Sequence, residues 1–187
     1  MRIIDFNHPE FQGFSEGEDI LIDTGVWFAF YNQYDAYHST VKRLFDKHVL
    51  HNEKNLFLYI NPTIVNEITH LASTPLKKYL DFFPEKKNIF TNSDIEIIEK
   101  TITNGIKELI EKEVISILDG NKESVIKQIS LYKELGSADA VNSSIANLYG
   151  ISFLTVDKRL AENIFNQRSQ LSNITNVYYT TGKNRDY

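Results

Sequence analysis

The sequence contains no cysteine. Its absence excludes disulfide bonds, thiolate zinc sites and cysteine nucleophiles, and removes any sign of an oxidising compartment. Long apolar runs are absent too, since no stretch approaches the roughly 20 apolar residues of a membrane-spanning helix. The opening MRIIDFNHPEF reaches Asp5 after two isoleucines, too short an apolar segment for a signal peptide. We therefore expect a cytoplasmic protein with no membrane partner.

A basic excess is also missing. The formal net charge of −5 at pH 7 argues against a broad, non-specific nucleic-acid surface. It does not exclude a local one, because divalent cations held by clustered carboxylates become the largest charges at their site. The net charge therefore weakens a nucleic-acid function without ruling it out.

The hydrophobic content is enough for one core. The chain has 187 residues, of which 42% are hydrophobic, and this favours a single globular domain. Residues 1–19 are polar and rich in turn-forming residues, so they are predicted to be an irregular N-terminal arm. The domain itself is expected over residues 20–187.

Apolar runs of strand length alternate with helical patterns along that domain. The predicted strands are ILID from residue 20, LFLYI from 56, VISIL from 114, ISFLTV from 151 and VYYTT from 177. Most are continuous apolar runs, as in strands buried on both faces of a parallel sheet. The predicted fold class is α/β, a three-layer α/β/α sandwich with a mainly parallel five-stranded sheet.

Four acidic residues are placed at or just after the ends of predicted strands. Asp23 ends the first strand, Glu67 lies in the second turn of the helix after LFLYI, Asp139 opens the helix SADAVNSS and Asp157 ends ISFLTV. In open parallel sheets, ligands bind outside the carboxyl ends of the strands. Converging carboxylates repel one another without cations, and hard oxygen ligands suit Mg²⁺ or Mn²⁺. We therefore expect one or two such ions, which together can drive an in-line phosphodiester displacement.

Each acid also has a structural alternative. Asp23 and Asp157 stand where an aspartate would cap the following helix, and Asp139 lies where the helix dipole favours a negative charge. Glu67 has no such role, because it lies inside its helix among apolar neighbours. Their order and their placement after strands favour a shared site.

The same segments resemble the PIN-domain ribonucleases, and in particular the VapC-like toxins of bacterial toxin-antitoxin pairs. The resemblance spans roughly residues 20–181 and rests on ILIDTGVWFAF, NPTIVNEITHLA, GSADAVNSSIA and FLTVDKRLAE. It implies that Asp23, Glu67, Asp139 and Asp157 are the catalytic, metal-binding acids, with Thr24 and Thr155 as their polar neighbours. It further implies a Mg²⁺- or Mn²⁺-dependent endoribonuclease with an RNA substrate, an antitoxin protein as partner, and a homodimer.

The chain departs from the compact toxins in length and in one helix. The excess lies in the arm before Asp19 and in residues 74–92, either of which would cover an antitoxin-binding face or reshape the RNA entrance. Asn142 follows Asp139 by three residues, where the family is usually alanine-rich. It is a candidate to reach a water on the metal, with an exposed polar helix face as the alternative.

Basic and aromatic residues supply candidate RNA contacts. Lys42, Arg43 and Lys47 form a basic strip that would contact RNA phosphates, and the lysines of residues 77–87 are similar candidates. The alternative is a solvated charged face. Tyr31, Tyr34 and Tyr37 would stack on unpaired bases or else pack in the core.

Two other functions compete with the ribonuclease. A phosphohydrolase that forms an aspartyl phosphate also begins with an aspartate after a strand, but its chemistry commonly needs a second aspartate two residues on, and position 25 is glycine. A catalytically inactive scaffold of the same fold would bind RNA or a partner protein. Its weakness is that all four acids are present.

Overall fold

The computed structural model describes residues 1–50 and 54–182. The strands are β1 Arg2–Asp5, β2 Glu18–Ile22, β3 Leu56–Ile60, β4 Ile115–Ile117, β5 Ser152–Leu154 and β6 Asn176–Tyr179. The α-helices are α1 Thr24–Tyr31, α2 His38–Phe45, α3 Pro62–Leu71, α4 Thr74–Phe82, α5 Asn92–Glu111, α6 Lys122–Leu135, α7 Ser137–Tyr149 and α8 Lys158–Asn166. A π-helical turn, Asp46–Leu50, continues α2, and a 3₁₀ turn, Pro84–Ile89, follows α4. None of the described helices has the length and apolar character that crossing a membrane requires.

The strands form one sheet in the order β1-β6-β5-β2-β3-β4, and every neighbouring pair is parallel. Helices flank this sheet, which confirms the predicted α/β class and its parallel sheet. The predicted strand number is wrong, because the sheet has six strands rather than five. The additional strand is β1, which pairs with β6 at the sheet edge.

The irregular conformation expected for residues 1–19 is therefore wrong over Arg2–Asp5, and also at Glu18 and Asp19, where β2 begins. The four-residue strand RIID has no fully buried side chain, so its sequence carries little of the apolar signal of an inner strand. Its partner residues in β6 lie far along the chain, with Arg2 opposite Asn176. Only this long-range pairing makes the segment a strand.

The central strand β2 places the candidate site. Ile20, Leu21 and Ile22 are fully buried, as expected for an apolar run between two neighbouring strands. The backbone N–H of Asp23 donates to the carbonyl of Leu154 at 2.9 Å, so the ends of β2 and β5 are joined. Residues that follow these two strands consequently meet at the carboxyl edge of the sheet.

Two helix starts bring the remaining acids to this edge. Asn61 caps α3 by accepting a hydrogen bond from the backbone N–H of Ile64 at 3.0 Å, as the Asn-Pro pair predicts. α7 begins directly after Gly136, whose φ of +94° lies in the region that favours glycine. The sharp turn at Gly136 places Asp139 in the first turn of α7.

Candidate metal centre

A cavity of about 530 Å³ opens at the carboxyl edge of the sheet. All of the predicted acids line it, and we call them the four acids and the space the acidic cavity. The four acids come from separate segments: the ends of β2 and β5, the helix α3 and the first turn of α7. The structure therefore brings together side chains that the sequence separates by up to 134 positions, Asp23 to Asp157. The other lining residues are Thr24, Gly25, Phe28, Asp35, Tyr37, Leu71, Thr74, Pro75, Lys78 and Val156.

Asp23 is held by a threonine rather than by the helix that follows it. It stands at the N-cap position of α1, but its side chain makes no capping hydrogen bond in the described structure. Its Oδ2 instead accepts a hydrogen bond from Thr155 Oγ1 at 2.8 Å. Thr155 is fully buried and Asp23 is 7% exposed. The cap alternative therefore does not account for the side chain of Asp23.

A second threonine contacts Glu67. Thr24 Oγ1 donates to Glu67 Oε2 at 2.7 Å and so links the first residue of α1 to the acid on α3. Thr24 and Thr155, which the resemblance places beside the acids, thus each contact one of them. These hydrogen bonds fix the orientation of carboxylates that would otherwise rotate.

Asp157 has a structural role as well as a place in the cavity. Its Oδ1 caps α8 by accepting hydrogen bonds from the backbone N–H groups of Arg159 and Leu160, at 2.8 and 3.1 Å. Its own backbone N–H donates to Thr155 Oγ1 at 3.0 Å, so that one hydroxyl connects Asp23 and Asp157. For Asp157 the capping alternative is therefore correct, and capping leaves Oδ2 available to the cavity.

Two of the four acids are electrostatically strained. Burial, followed by the charges of Asp23, Glu67 and Asp157, raises the pKa of Asp139 to about 7. Burial also raises the pKa of Asp23 to about 6, with the Thr155 hydrogen bond opposing the rise and the charge of Glu67 adding to it. Carboxyl groups with raised pKa values in a shared cavity are those that a bound cation would stabilise most.

The donor set fits Mg²⁺ or Mn²⁺ in its chemistry, but it is not a closed cage. All of the candidate ligands are carboxylate oxygens, which these hard cations prefer. Within residues 1–50 and 54–182, no three His, Asp or Glu side chains are already gathered as a complete metal site. Mg²⁺ commonly binds only one or two carboxylates and keeps several waters. An open cavity of this kind suits a partly hydrated ion.

Asn142 is not on an exposed helix face, so that alternative is wrong. It is fully buried, and its Oδ1 accepts a hydrogen bond from Asn61 Nδ2 at 2.9 Å. The side chain therefore ties α7 to the start of α3, because Asn61 is the cap of that helix. Its Nδ2 is buried and unpaired in the described structure. A contact between Asn142 and a water on the metal stays a prediction.

The predicted basic strip divides into two parts. Lys42 Nζ lies 4.9 Å from the ring centroid of Phe30, whereas Arg43 and Lys47 line a different cavity. The acidic cavity takes its lysine from α4 instead, at Lys78. Sequence reasoning missed Asp35, whose Oδ1 accepts from the backbone N–H of Tyr37 in the loop before α2. A loop acid beside no strand end gives no positional signal.

Comparison with known proteins leaves the family open. No family model and no curated protein matches the sequence. Among solved structures, the chain is similar to VapBC2 from Rickettsia felis bound to a DNA fragment from their promoter. The identity is 13%, the match covers 86% of this chain and 98% of that chain, and the TM-score is 0.45. At this level of similarity the match assigns no function to this chain.

Proposed function

We propose that this protein is a Mg²⁺- or Mn²⁺-dependent endoribonuclease that hydrolyses phosphodiester bonds in RNA, as the toxin of a toxin-antitoxin pair. The observation that carries the proposal is that Asp23, Glu67, Asp139 and Asp157 line one cavity at the carboxyl edge of a parallel sheet. The sequence motifs that resemble PIN-domain ribonucleases contain these same acids. Position and motif support the same function.

The four acids would hold one or two cations. When bound, such ions activate a water for in-line attack on phosphorus and stabilise the leaving oxygen. The raised pKa values of Asp23 and Asp139 support this role, because a cation relieves the repulsion among the carboxylates. No side chain is required as a covalent nucleophile.

The threonines and a helix start would set the positions of the acids. Thr155 holds Asp23, Thr24 holds Glu67, and the amides at the start of α8 hold Asp157. Hydrogen bonds of this kind orient metal ligands, and their loss typically weakens metal affinity about 10- to 100-fold. The chain's own contribution to catalysis is this preorganisation.

The remaining lining residues suit a single-stranded or looped RNA. Lys78 is exposed at the rim and would contact a backbone phosphate. Tyr37 and the apolar side chain of Leu71, which is 43% exposed, offer surfaces for a sugar or an unpaired base. Bases in a duplex are stacked inside and cannot reach such surfaces.

The structure disfavours one of the two competing functions and is compatible with the other. Position 25 is glycine and supplies no acid/base group for aspartyl-phosphate chemistry, and a Cβ there would lie 2.9 Å from Val156 Cγ2, so that Val156 would have to shift. The inactive scaffold remains the second candidate, because the described acids are not already gathered into a metal site. Mn²⁺ titration against wild type and Glu67→Ala separates the scaffold from the nuclease, since a scaffold shows no carboxylate-dependent binding.

Cleavage of total cellular RNA by the purified protein tests the proposal. We expect products with Mn²⁺ that disappear with EDTA and with Asp23→Asn, while Asp119→Asn, an exposed acid outside the cavity, cleaves like wild type. Cleavage that persists in Asp23→Asn would refute the assignment of the four acids. The antitoxin partner and the homodimer rest on the resemblance alone, and light scattering of the purified protein measures the second.

A further inference from the structure

A second cavity, of about 480 Å³, lies between the segment after β1 and the helix α2. We call it the N-terminal cavity. Its lining residues are Phe6, Asn7, His8, Pro9, Phe11, Thr40, Arg43, Leu44, Lys47 and His48. No acidic residue is among these described lining residues, whereas Arg43 and Lys47 carry positive charge. Its electrostatic character is therefore opposite to that of the acidic cavity.

Hydrogen bonds hold the wall of the N-terminal cavity in place. Arg43 Nη2 donates to Asn7 Oδ1, and the backbone N–H of Asn7 donates to Asp5 Oδ1 at 2.9 Å. Phe6 continues the pairing of β1 with β6, since its N–H donates to the carbonyl of Tyr179 at 2.8 Å. These contacts hold the segment after β1 against α2, and Arg43 keeps further guanidinium donors for a ligand.

The two cavities lie along the same edge of the sheet. The strands are parallel, so the segment after β1 and Asp23 after β2 are both at carboxyl ends. Three strand spacings of about 4.8 Å, through β6 and β5, separate those ends by roughly 14 Å.

The helix α2 runs from the acidic cavity along the N-terminal cavity. Tyr37, just before α2, lines the acidic cavity, whereas Thr40 and Arg43 within α2 and Lys47 just after it line the N-terminal cavity. At about 1.5 Å per residue, the helical segment from Tyr37 to Lys47 spans about 15 Å, so the Lys47 end of the N-terminal cavity lies about that far from Tyr37. A stacked strand rises about 3.4 Å per nucleotide, so about four or five nucleotides would cover that distance.

We propose that the N-terminal cavity binds a nucleotide of the same RNA strand whose scissile phosphodiester lies in the acidic cavity, with Arg43 and Lys47 at its phosphate. This inference rests on the proposed function and adds a second binding site to it. The cavity volume falls within the range of about 300–1,000 Å³ that small-ligand sites occupy. Phe11, half-buried in its wall and packed edge-on against His48, adds an aromatic side chain to the same cavity.

The site also explains how a protein of net charge −5 would hold RNA at all. A cavity lined by acids repels phosphate until cations fill it, so a separate basic site supplies attraction that does not depend on metal. The prediction is that affinity depends on RNA length when cations fill the acidic cavity. A short strand then occupies the acidic cavity, and only a strand long enough to reach both cavities also gains from Lys47.

Fluorescence anisotropy with labelled RNA tests this length dependence. The probes are an RNA of about ten nucleotides, long enough at about 3.4 Å each to span both cavities, and a trinucleotide, which is not. Binding is measured at several salt concentrations in the uncleaving Asp139→Asn protein, with enough Mn²⁺ to saturate its weakened metal site, alone and combined with Lys47→Ala, Lys47→Glu or Lys42→Ala. Lys42→Ala is the matched control, because it also removes one lysine charge, from α2 rather than from the turn that follows it, and its ammonium lies over Phe30, outside the lining of the cavity.

We expect Lys47→Ala to weaken binding of the longer RNA about three- to tenfold and to reduce the salt slope by about one. Lys47→Glu should weaken it further, and Lys42→Ala and the trinucleotide should change by less than about twofold. Equal weakening by Lys42→Ala and Lys47→Ala, or an equal effect on both RNA lengths, would overturn the proposal in favour of a diffuse basic face. Circular dichroism of each variant excludes misfolding.

A parallel cleavage assay distinguishes a failure of this inference from a failure of the proposed ribonuclease function. If wild type cleaves RNA with Mn²⁺ but Lys47 has no length-dependent effect, the N-terminal site is wrong and the nuclease stands. If Lys47-dependent binding of the longer RNA is found without any cleavage, the nuclease is wrong and the cavity stands as an RNA site.

Discussion

Replacing Asp139 by asparagine should make the metal-free protein more stable at pH 8. Folding raises the pKa of this carboxyl group from its ordinary value of 3.8 to about 7, through burial and through the charges of Asp23, Glu67 and Asp157. The ionised form is therefore disfavoured in the folded protein and costs free energy of folding. Asparagine keeps the shape and removes the charge.

The magnitude follows from the pKa. A difference of about three pH units corresponds to an upper limit of about 4 kcal/mol at pH 8. Asp139 is only half-buried, so solvent screening reduces this value, and the lost interaction with the N-terminus of α7 subtracts roughly 0.5 kcal/mol. We expect a net gain of about 1–2 kcal/mol, which raises the melting temperature by roughly 2–8 °C for a chain of this length.

The sign of the pH dependence is also fixed. A carboxyl group whose pKa is raised by folding contributes stability below its ordinary pKa, and this contribution is lost as the pH rises from about 4 to about 7. The gain from Asp139→Asn should therefore be larger at pH 8 than at pH 5. At a Mn²⁺ concentration 100 times its Kd, wild type gains about 2.7 kcal/mol, whereas a variant that binds tenfold more weakly gains about 1.4 kcal/mol. Mn²⁺ should therefore reduce or abolish the advantage of Asp139→Asn, and reverse the order if the variant binds about 100-fold more weakly.

Thermal melts measure these differences in stability. They compare wild type, Asp139→Asn and Asp119→Asn, with EDTA and with Mn²⁺, at pH 5 and pH 8. Asp119 is an exposed aspartate outside the acidic cavity, so its replacement should change stability by less than about 0.5 kcal/mol. Asp139→Asn melting below wild type in EDTA at pH 8 would refute the reasoning. An undiminished Mn²⁺ stabilisation of the variant would refute the role of Asp139 in metal binding.

Further predictions separate the roles of neighbouring residues. Thr155→Val should weaken Mn²⁺ affinity about tenfold or more, because Asp23 loses its hydrogen bond, whereas Thr155→Ser should keep the affinity of wild type. Calorimetry would measure both variants, and equal affinities of Thr155→Val and wild type would contradict this role. Asp157→Ala should lose activity and lower the free energy of unfolding by about 1 kcal/mol, because the α8 cap is missing. Asp157→Asn should lose activity but keep the cap, so equal denaturation midpoints for the two variants would contradict the capping role. Lys78→Ala should raise KM for RNA several-fold with kcat unchanged, while Lys77→Ala, at a lysine that is also exposed but lies outside the acidic cavity, should not. Identical KM values for the two variants would remove Lys78 from the site.

Sequence patterns predicted the inner strands well because those strands are buried on both faces. The run LFLYI coincides with β3, Leu56–Ile60, and the apolar part of ILID lies within β2. The edge strand β1 escaped detection, since its only strand signal is its pairing with β6 across the length of the chain. Helix starts depend on local side-chain contacts as well as on apolar patterns: α5 begins after Thr91, which forms a capping box with Asp94.

The four acids could be found from the sequence because Asp23 and Asp157 stand just after strands, and Glu67 and Asp139 lie in the first two turns of recognisable helices. Their mutual geometry could not, because the hydrogen bonds that orient them join residues 43 and 132 positions apart, Thr24–Glu67 and Thr155–Asp23. The burial of Asn142 was hidden for a similar reason. The small polar residues of α7 predict an exposed helix face, but α7 packs against both α3 and α6, so the side chain of Asn142 is enclosed.

Calorimetric titration of Mn²⁺ tests most directly the claim that Asp23, Glu67, Asp139 and Asp157 hold a cation together. We predict that wild type and Asp119→Asn bind Mn²⁺ alike, and that Asp23→Asn, Glu67→Gln, Asp139→Asn and Asp157→Asn each weaken binding at least about tenfold. Wild-type protein that binds no Mn²⁺, or binding that survives each of the four replacements, would contradict the account.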